Sequence, residues 1–189
     1  ARGGHGLFST LEDYTKFAKE LLSKIRNKPI SFEVFADDLK SMEVQANEIA
    51  SWGENVFVKI PITNTKGEST KNLIANLNKK NIACNVTAIF TLHQVKDIIN
   101  VVNENTPLIL SIFAGRIADS GINPLNIVKE AINLAKVKKN IKILWASTRE
   151  LFNIFQADEI NCHIITVPND ILKKLKYLEK YQNEFSLET

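Results

Sequence analysis

The sequence predicts an α/β protein of (β/α)8-barrel type, on three observations. Short β-branched and aromatic runs alternate with amphipathic helical patterns from residue 30 to residue 170, the order that builds parallel βα units. Polar residues recur inside those runs near their C-terminal ends, where a barrel of this kind carries its working side chains. No glycine-rich loop follows a strand candidate, so the competing doubly wound sheet lacks its phosphate-binding turn.

Taken in chain order, the strand candidates are ISFEVFA (30–36), VFVKIP (56–61), ACNVTAIF (83–90), LILSIFAG (108–115), IKILWAS (141–147) and CHIITVP (162–168). Each ends near a turn or helix-start residue. The segment DDLKSMEVQANEIASW puts Leu39, Met42, Ala46 and Ile49 on one helical face behind an acidic start that suits the helix dipole. A shorter helix is expected around KNLIANLNKK. From Thr91, TLHQVKDIINVV offers a capping box with Gln94 and the apolar stripe Leu92, Val95, Ile98, Ile99, Val102. In NPLNIVKEAINLAKV, Asn123 is the cap and Pro124 the first helical residue, and Ile127, Val128, Ala131 and Leu134 turn inward. Further helices are expected around 149–156 and 169–182, and the leading ARGGHG reads as a flexible piece of low functional weight.

The composition excludes several classes. The 189 residues fit one domain, 1–189, or part of a larger protein, with 44% hydrophobic content to build a core. A formal charge of +3, from 24 basic and 21 acidic residues, is too small and dispersed to argue for nucleic acid, and it suits small anionic ligands. No apolar run reaches the roughly 18–20 residues of a membrane span, and the N-terminus lacks the basic-then-apolar order of a signal peptide. No membrane association and a cytoplasmic address are expected. Cys84 and Cys162 form no zinc-like cluster with the three histidines and read as reduced core residues. No metal and no disulfide are expected.

Strand alternation then sorts the polar residues. If Phe32 and Val34 face the covering helices, Ser31, Glu33 and Phe35 face the other way, and Lys59 lies opposite Val58 and Ile60. Asn85 shares a face with Thr87, and Ser111 with Phe113. Glu33, Lys59, Asn85 and Ser111 follow one another at intervals of 26 residues, which places one polar group on each of four successive strands at a similar height.

That set can do chemistry. Apolar surroundings disfavour the ammonium form of a lysine and free an amine that attacks a carbonyl to form a Schiff base. The iminium is an electron sink, so the adjacent carbon–carbon bond can break or form. Glu33 and Thr87, on the flanking strands, are placed to hold a water and move protons near the imine of Lys59. Arg116 and Arg149, just past strand ends, with Ser147 as hydroxyl donor, make a fork for a sugar phosphate. On residues alone a structural role stays open for each: a snorkelling lysine, a Glu33–Lys59 ion pair, Asn85 and Thr87 satisfying loop backbone, arginines in surface salt bridges.

The segments SFEVFAD, VFVKIP, NVTAIFT, SIFAGRIAD, WASTREL and HIITVP, in this order across roughly residues 29 to 175, resemble the transaldolase family. The resemblance implies a (β/α)8 barrel with the Schiff-base lysine at Lys59. It also implies that Glu33 and Thr87 hold the catalytic water, that Asn85, Ser111 and Phe113 line the substrate site with Arg116, and that Ser147 and Arg149 take the substrate phosphate. The implied reaction moves a dihydroxyacetone unit from a ketose phosphate such as fructose 6-phosphate to an aldose phosphate such as erythrose 4-phosphate, a step of the pentose phosphate pathway. No metal or organic cofactor is implied. The related fructose-6-phosphate aldolases, which release free dihydroxyacetone, carry glutamine in place of Glu33 and tyrosine in place of Phe113, so both positions favour the transferase.

The likeness departs at the N-terminus. The family begins with a strand bearing an aspartate, the proton acceptor for bond cleavage, and a second strand with a TTNP-like asparagine. The segment ARGGHGLFSTLEDYTKFAKELL is instead similar to the end of the second loop and the second helix. Asp13 falls in that helix and does not inherit the role of the aspartate. The expectation is an incomplete barrel of about six βα units, strands 3 to 8 of the family barrel, which is catalytically impaired, completes itself as a homo-oligomer, or belongs to a longer protein.

Overall fold

A computed structural model describes residues 11–178 and 185–186. Helix α1 (Leu11–Lys24) precedes β1 (Ile30–Glu33), and α2 (Leu39–Ala50), β2 (Val56–Pro61), α3 (Lys71–Lys79), β3 (Cys84–Ile89), α4 (Leu92–Ile99) and β4 (Leu108–Ile112) follow in strict alternation. A short α5 (Ala114–Asp119) and α6 (Pro124–Ala135) lead to β5 (Ile141–Trp145), α7 (Phe152–Glu159) and β6 (Ile164–Ile165). The chain then runs through α8 (Asn169–Leu172) into a 3-10 turn, Lys173–Tyr177. The strands form one parallel sheet in sequential order β1-β2-β3-β4-β5-β6. This is an incomplete (β/α) barrel, a curled sheet with helices on its outer face.

The helices begin where local chemistry starts them. Asp38 accepts from the Ser41 N–H at 2.9 Å and caps α2. At α4 the Thr91 hydroxyl accepts from the Gln94 N–H, and the Gln94 side chain accepts from the Thr91 N–H, closing the expected box. Asn123 caps α6 with Pro124 behind it. The core lies between sheet and helices. Val58 and Ile60 of β2, Val86 of β3, Leu110 of β4 and Ile143 of β5 are fully buried against Ala46, Ile74, Leu77, Val95, Ile98 and Val128. Each buried Val, Leu or Ile side chain contributes roughly 1.5–3 kcal/mol. Burial pushes the Cys84 thiol up to about 12, so this cysteine is an inert core residue.

Several boundaries differ from the sequence reading, each for a local reason. Strand β1 stops at Glu33, and Phe35 does not share its face: the ring leaves the sheet and packs at 4.8 Å on Tyr14 of α1. Strand β4 stops at Ile112, and the stretch read as its end becomes α5, so Arg116 sits on a helix. Strand β6 is short because the His163 ring, through Nδ1, takes the Ile143 N–H that a backbone carbonyl would otherwise receive. The helix expected at 149–156 starts only at Phe152, since the Asn153 side chain accepts from the backbone N–H groups of Arg149 and Glu150. The expected helix 169–182 breaks into α8 and the 3-10 turn as far as Tyr177. ARGGHG and residues 179–182 lie outside the described residues.

Candidate active site

The inner face of the sheet carries the alternate residues of each strand. In β2, Val56, Val58 and Ile60 are buried under the helices, which leaves Phe57, Lys59 and Pro61 on the inner face. Pairing puts Glu33 directly beside Lys59, and Lys59 directly beside Asn85. The Lys59 ammonium donates to Glu33 Oε2 at 3.0 Å. Their side chains are 30% and 46% exposed, so the apolar envelope expected around Lys59 encloses its strand but not its amine. A carboxylate meets the nitrogen instead, and the side chain as a whole is partly open to solvent.

The next strands extend this row with a modification. Ser111 is not level with Asn85: the register sets Ile109 opposite Asn85. A bulge between Val86 and Ile89, with Ala88 at φ 57°, then shifts the ladder. The fourth polar group of the 26-residue series is offset by the register already set at Asn85 and Ile109, ahead of the bulge. It is still connected, because the Ser111 hydroxyl donates to Asn85 Oδ1 at 2.7 Å, while Asn85 Nδ2 donates to the Ser31 hydroxyl at 3.0 Å. Both of Asn85's polar ends are thus committed, and its amide is locked in one orientation across three strands. Thr87 is the opposite case. Its hydroxyl is buried and has no hydrogen-bond partner among the described residues. A buried hydroxyl without a partner costs about 1–3 kcal/mol, a cost that protein sites retain where a ligand group or water is to be held.

The C-terminal rim is built by a close approach of two backbones. A Cβ placed on Gly115 would lie 1.6 Å from the Ser147 carbonyl oxygen, so only glycine lets α5 seat against the loop after β5. Ser147 itself is held at φ 64°, a left-handed conformation uncommon for serine. On this rim the Arg116 guanidinium stacks over the Phe113 ring at 5.3 Å, and Phe113 packs on Phe90 at 5.8 Å. Arg149 is gripped by Asp119 of α5: Nε and Nη2 donate to Oδ2 at 3.0 and 2.7 Å. Hydrogen bonds from Arg149 hold the Asp119 carboxyl below the usual carboxylate range.

One cavity of about 670 Å³ joins these groups. Of the residues singled out in the sequence, Lys59, Asn85, Thr87, Ser111, Phe113, Arg116, Ser147 and Arg149 line it, and Glu33 reaches it through Lys59. Asp13 lies on α1 and is not among the lining residues. Sequence reading missed Ser31 and Thr166, which also line the cavity, and Asp119, which holds Arg149. Ser31 had a signal, standing two residues before Glu33 on the same strand face. Asp119 had a weaker one, three residues after Arg116 on what proved to be a helix. The arrangement gathers an amine beside a carboxylate, an unspent hydroxyl and two guanidinium groups at one end. It is chemically suited to a small carbonyl compound with an anionic tail.

Fold and site together define a protein of the (β/α)-barrel class with its polar residues at the C-terminal strand ends. A crystal structure of GMP reductase from Trypanosoma brucei is similar in fold, with a TM-score of 0.52 at 13% identity over 76% of this chain and 30% of that one. Residues 10–188 match the family described as Transaldolase/Fructose-6-phosphate aldolase, and the chain belongs to that family. Similar relatives include a probable transaldolase of Thermoanaerobacter sp., 31% identical over 86% of this chain and 72% of the relative. Probable transaldolase 2 of Listeria monocytogenes is 32% identical over 86% and 71%. A probable transaldolase of Nitrosopumilus maritimus is 28% identical over 89% and 73%.

Proposed function

We propose that residues 1–189 form one transaldolase-like domain that transfers a dihydroxyacetone unit between sugar phosphates through a Schiff base on Lys59. The observation that carries the reading is the Lys59–Glu33 contact at 3.0 Å beside a cavity that two arginines line. Glu33 accepts a proton from the Lys59 ammonium, and the free amine adds to the ketose carbonyl of fructose 6-phosphate. Loss of water leaves the iminium. The C3–C4 bond then breaks, its electron pair moves onto the iminium nitrogen as an enamine, and the C4 hydroxyl gives up its proton to solvent water as the aldose phosphate leaves. The enamine carbon adds to the aldehyde of an acceptor such as erythrose 4-phosphate, whose oxygen takes up a proton. Water, held between Glu33 and Thr87, returns to the iminium and releases the product.

In this reading the second Nδ2 hydrogen of Asn85, left over after its bond to Ser31, and the hydroxyls of Ser111 and Ser147 meet the sugar hydroxyls and phosphate, and Arg116 and Arg149 supply charge for the phosphate. Phe113 offers a ring without a hydroxyl near the imine, which favours aldehyde over water as acceptor and hence transfer over release of free dihydroxyacetone. The reaction places the protein in the cytoplasmic pentose phosphate pathway. Incubation with fructose 6-phosphate and borohydride should add a reduced sugar fragment at Lys59, read by mass; no increase at Lys59 overturns the reading.

A second reading, sugar-phosphate binding without turnover, is favoured by one observation: among the described residues no aspartate lines the cavity to take the C4 hydroxyl proton. Trapping at Lys59 with no transfer to erythrose 4-phosphate selects it.

A further inference from the structure

We propose that Asp119 is a positioning residue for anion binding, holding Arg149 so that its remaining donors serve the phosphate end of the cavity; this rests on the reading of the site as a sugar-phosphate site. The contact has the fork geometry of a carboxylate–guanidinium pair, with Arg149 Nε at 3.0 Å and Nη2 at 2.7 Å from Oδ2, and Nε at 3.3 Å from Oδ1. A guanidinium has five N–H donors. Asp119 engages one edge and leaves both hydrogens of Nη1 and one of Nη2, while Arg149 still lines the cavity.

Other contacts frame the same pair. The Arg149 backbone N–H donates to Asn153 Oδ1 at 2.9 Å. The Gly115–Ser147 approach seats α5, and with it Asp119, against the loop that carries Arg149. Arg116, three residues before Asp119, is tied to Phe113 instead, so the carboxylate is committed to Arg149 and not shared in hydrogen bonds with the second guanidinium. A long side chain that is 47% exposed would otherwise sample many rotamers, and an anion would have to order it on binding. Asp119 removes that cost in advance, although its own negative charge stands near the bound anion. On this proposal ordering outweighs that repulsion, and the sign of the D119N effect decides between them.

The test compares the unmodified protein with D119N and D119E. Inorganic phosphate is titrated calorimetrically. The expected result is about fivefold weaker phosphate binding by D119N, the scale of one half-exposed ion pair, with part of the loss restored in D119E, which keeps the charge. Phosphate binding by D119N that is unchanged or tighter overturns the proposal, as does an unmodified protein that binds no phosphate. The melting temperature of D119N should stay close to that of the unmodified protein, whereas a general loss of structure would lower it. If no sugar traps on Lys59 but D119N still weakens phosphate binding, the positioning role stands and the Schiff-base reading falls.

Discussion

Replacing Gly115 by alanine perturbs the tightest backbone contact of the site. The added Cβ would stand 1.6 Å from the Ser147 carbonyl oxygen, 2.8 Å from its carbonyl carbon and 2.9 Å from Arg149 Cγ. A carbon–oxygen contact becomes comfortable only near 3.3 Å, so α5 and the loop after β5 must separate by roughly 1.7 Å. Two of the obstructing atoms are backbone, and no rotamer change relieves them. Overpacking of this kind costs about 1–3 kcal/mol, and a misplacement of about 1 Å in a reacting or binding group costs on the order of a hundredfold in rate. Urea denaturation should show a lower midpoint at unchanged m-value, and phosphate affinity and Lys59 trapping should fall together. Gly67→Ala is the control: its φ is +80° but nothing lies within 4 Å, so the cost is local strain of about 1–2 kcal/mol with the site intact. A Gly115→Ala protein whose stability and phosphate affinity match the unmodified protein would refute the argument that this glycine sets the rim.

Thr87→Val removes a buried hydroxyl that has no partner among the described residues; stability should hold or rise by about 1–2 kcal/mol while hydrolysis of the unreduced Lys59 iminium slows, as measured by melting and by single-turnover kinetics. Lys59→Met should abolish borohydride trapping without unfolding the protein, because the lost ion pair is half-exposed and worth at most about 1 kcal/mol; trapping that persists shows the imine forms elsewhere. Glu33→Gln should slow trapping at saturating fructose 6-phosphate, whereas an unchanged rate would remove Glu33 from the proton transfer. Desolvation lowers the His163 pKa in the fold, so the unfolded chain takes up this proton first. Its stabilising share is then complete above about pH 6.5 and is lost as pH falls through that value toward the lowered folded one. A melting temperature that drops from pH 8 to pH 5.5 in the unmodified protein, but less in His163→Gln, is the expected result, and equal drops in both would refute it.

Much of the architecture was legible because hydrophobic periodicity is a local property. The βα alternation, the caps at Thr91 and Asn123, and the inner-face setting of Lys59 and Asn85 follow from residues within a few positions of each other. Strand ends were less legible because non-local bonds terminate them. The His163 ring delays β6 from across β5, and Gln45 of α2 accepts from the Phe35 and Ala36 N–H groups just past the end of β1. The similar height assigned to Ser111 failed because equal sequence intervals do not fix strand register: β3 and β4 pair Asn85 with Ile109, whereas β2 and β3 pair Lys59 with Asn85.

By itself the sequence determined the fold class, the family resemblance and the set of polar side chains on one face of the sheet, because alternation of period two and helical stripes of period 3.6 require no knowledge of distant contacts. Only the tertiary structure decided how those side chains are employed. Asn85 bonds Ser31 and Ser111, Thr87 is left without a partner among the described residues, and Lys59 meets a carboxylate in place of a dry pocket. Arg149 is held by Asp119, the last residue of SIFAGRIAD, to which the sequence had assigned no role. The physical reason is that a hydrogen bond depends on angstrom-scale placement across residues 26 to 54 positions apart, which the packing of helices on the sheet supplies and residue order alone does not.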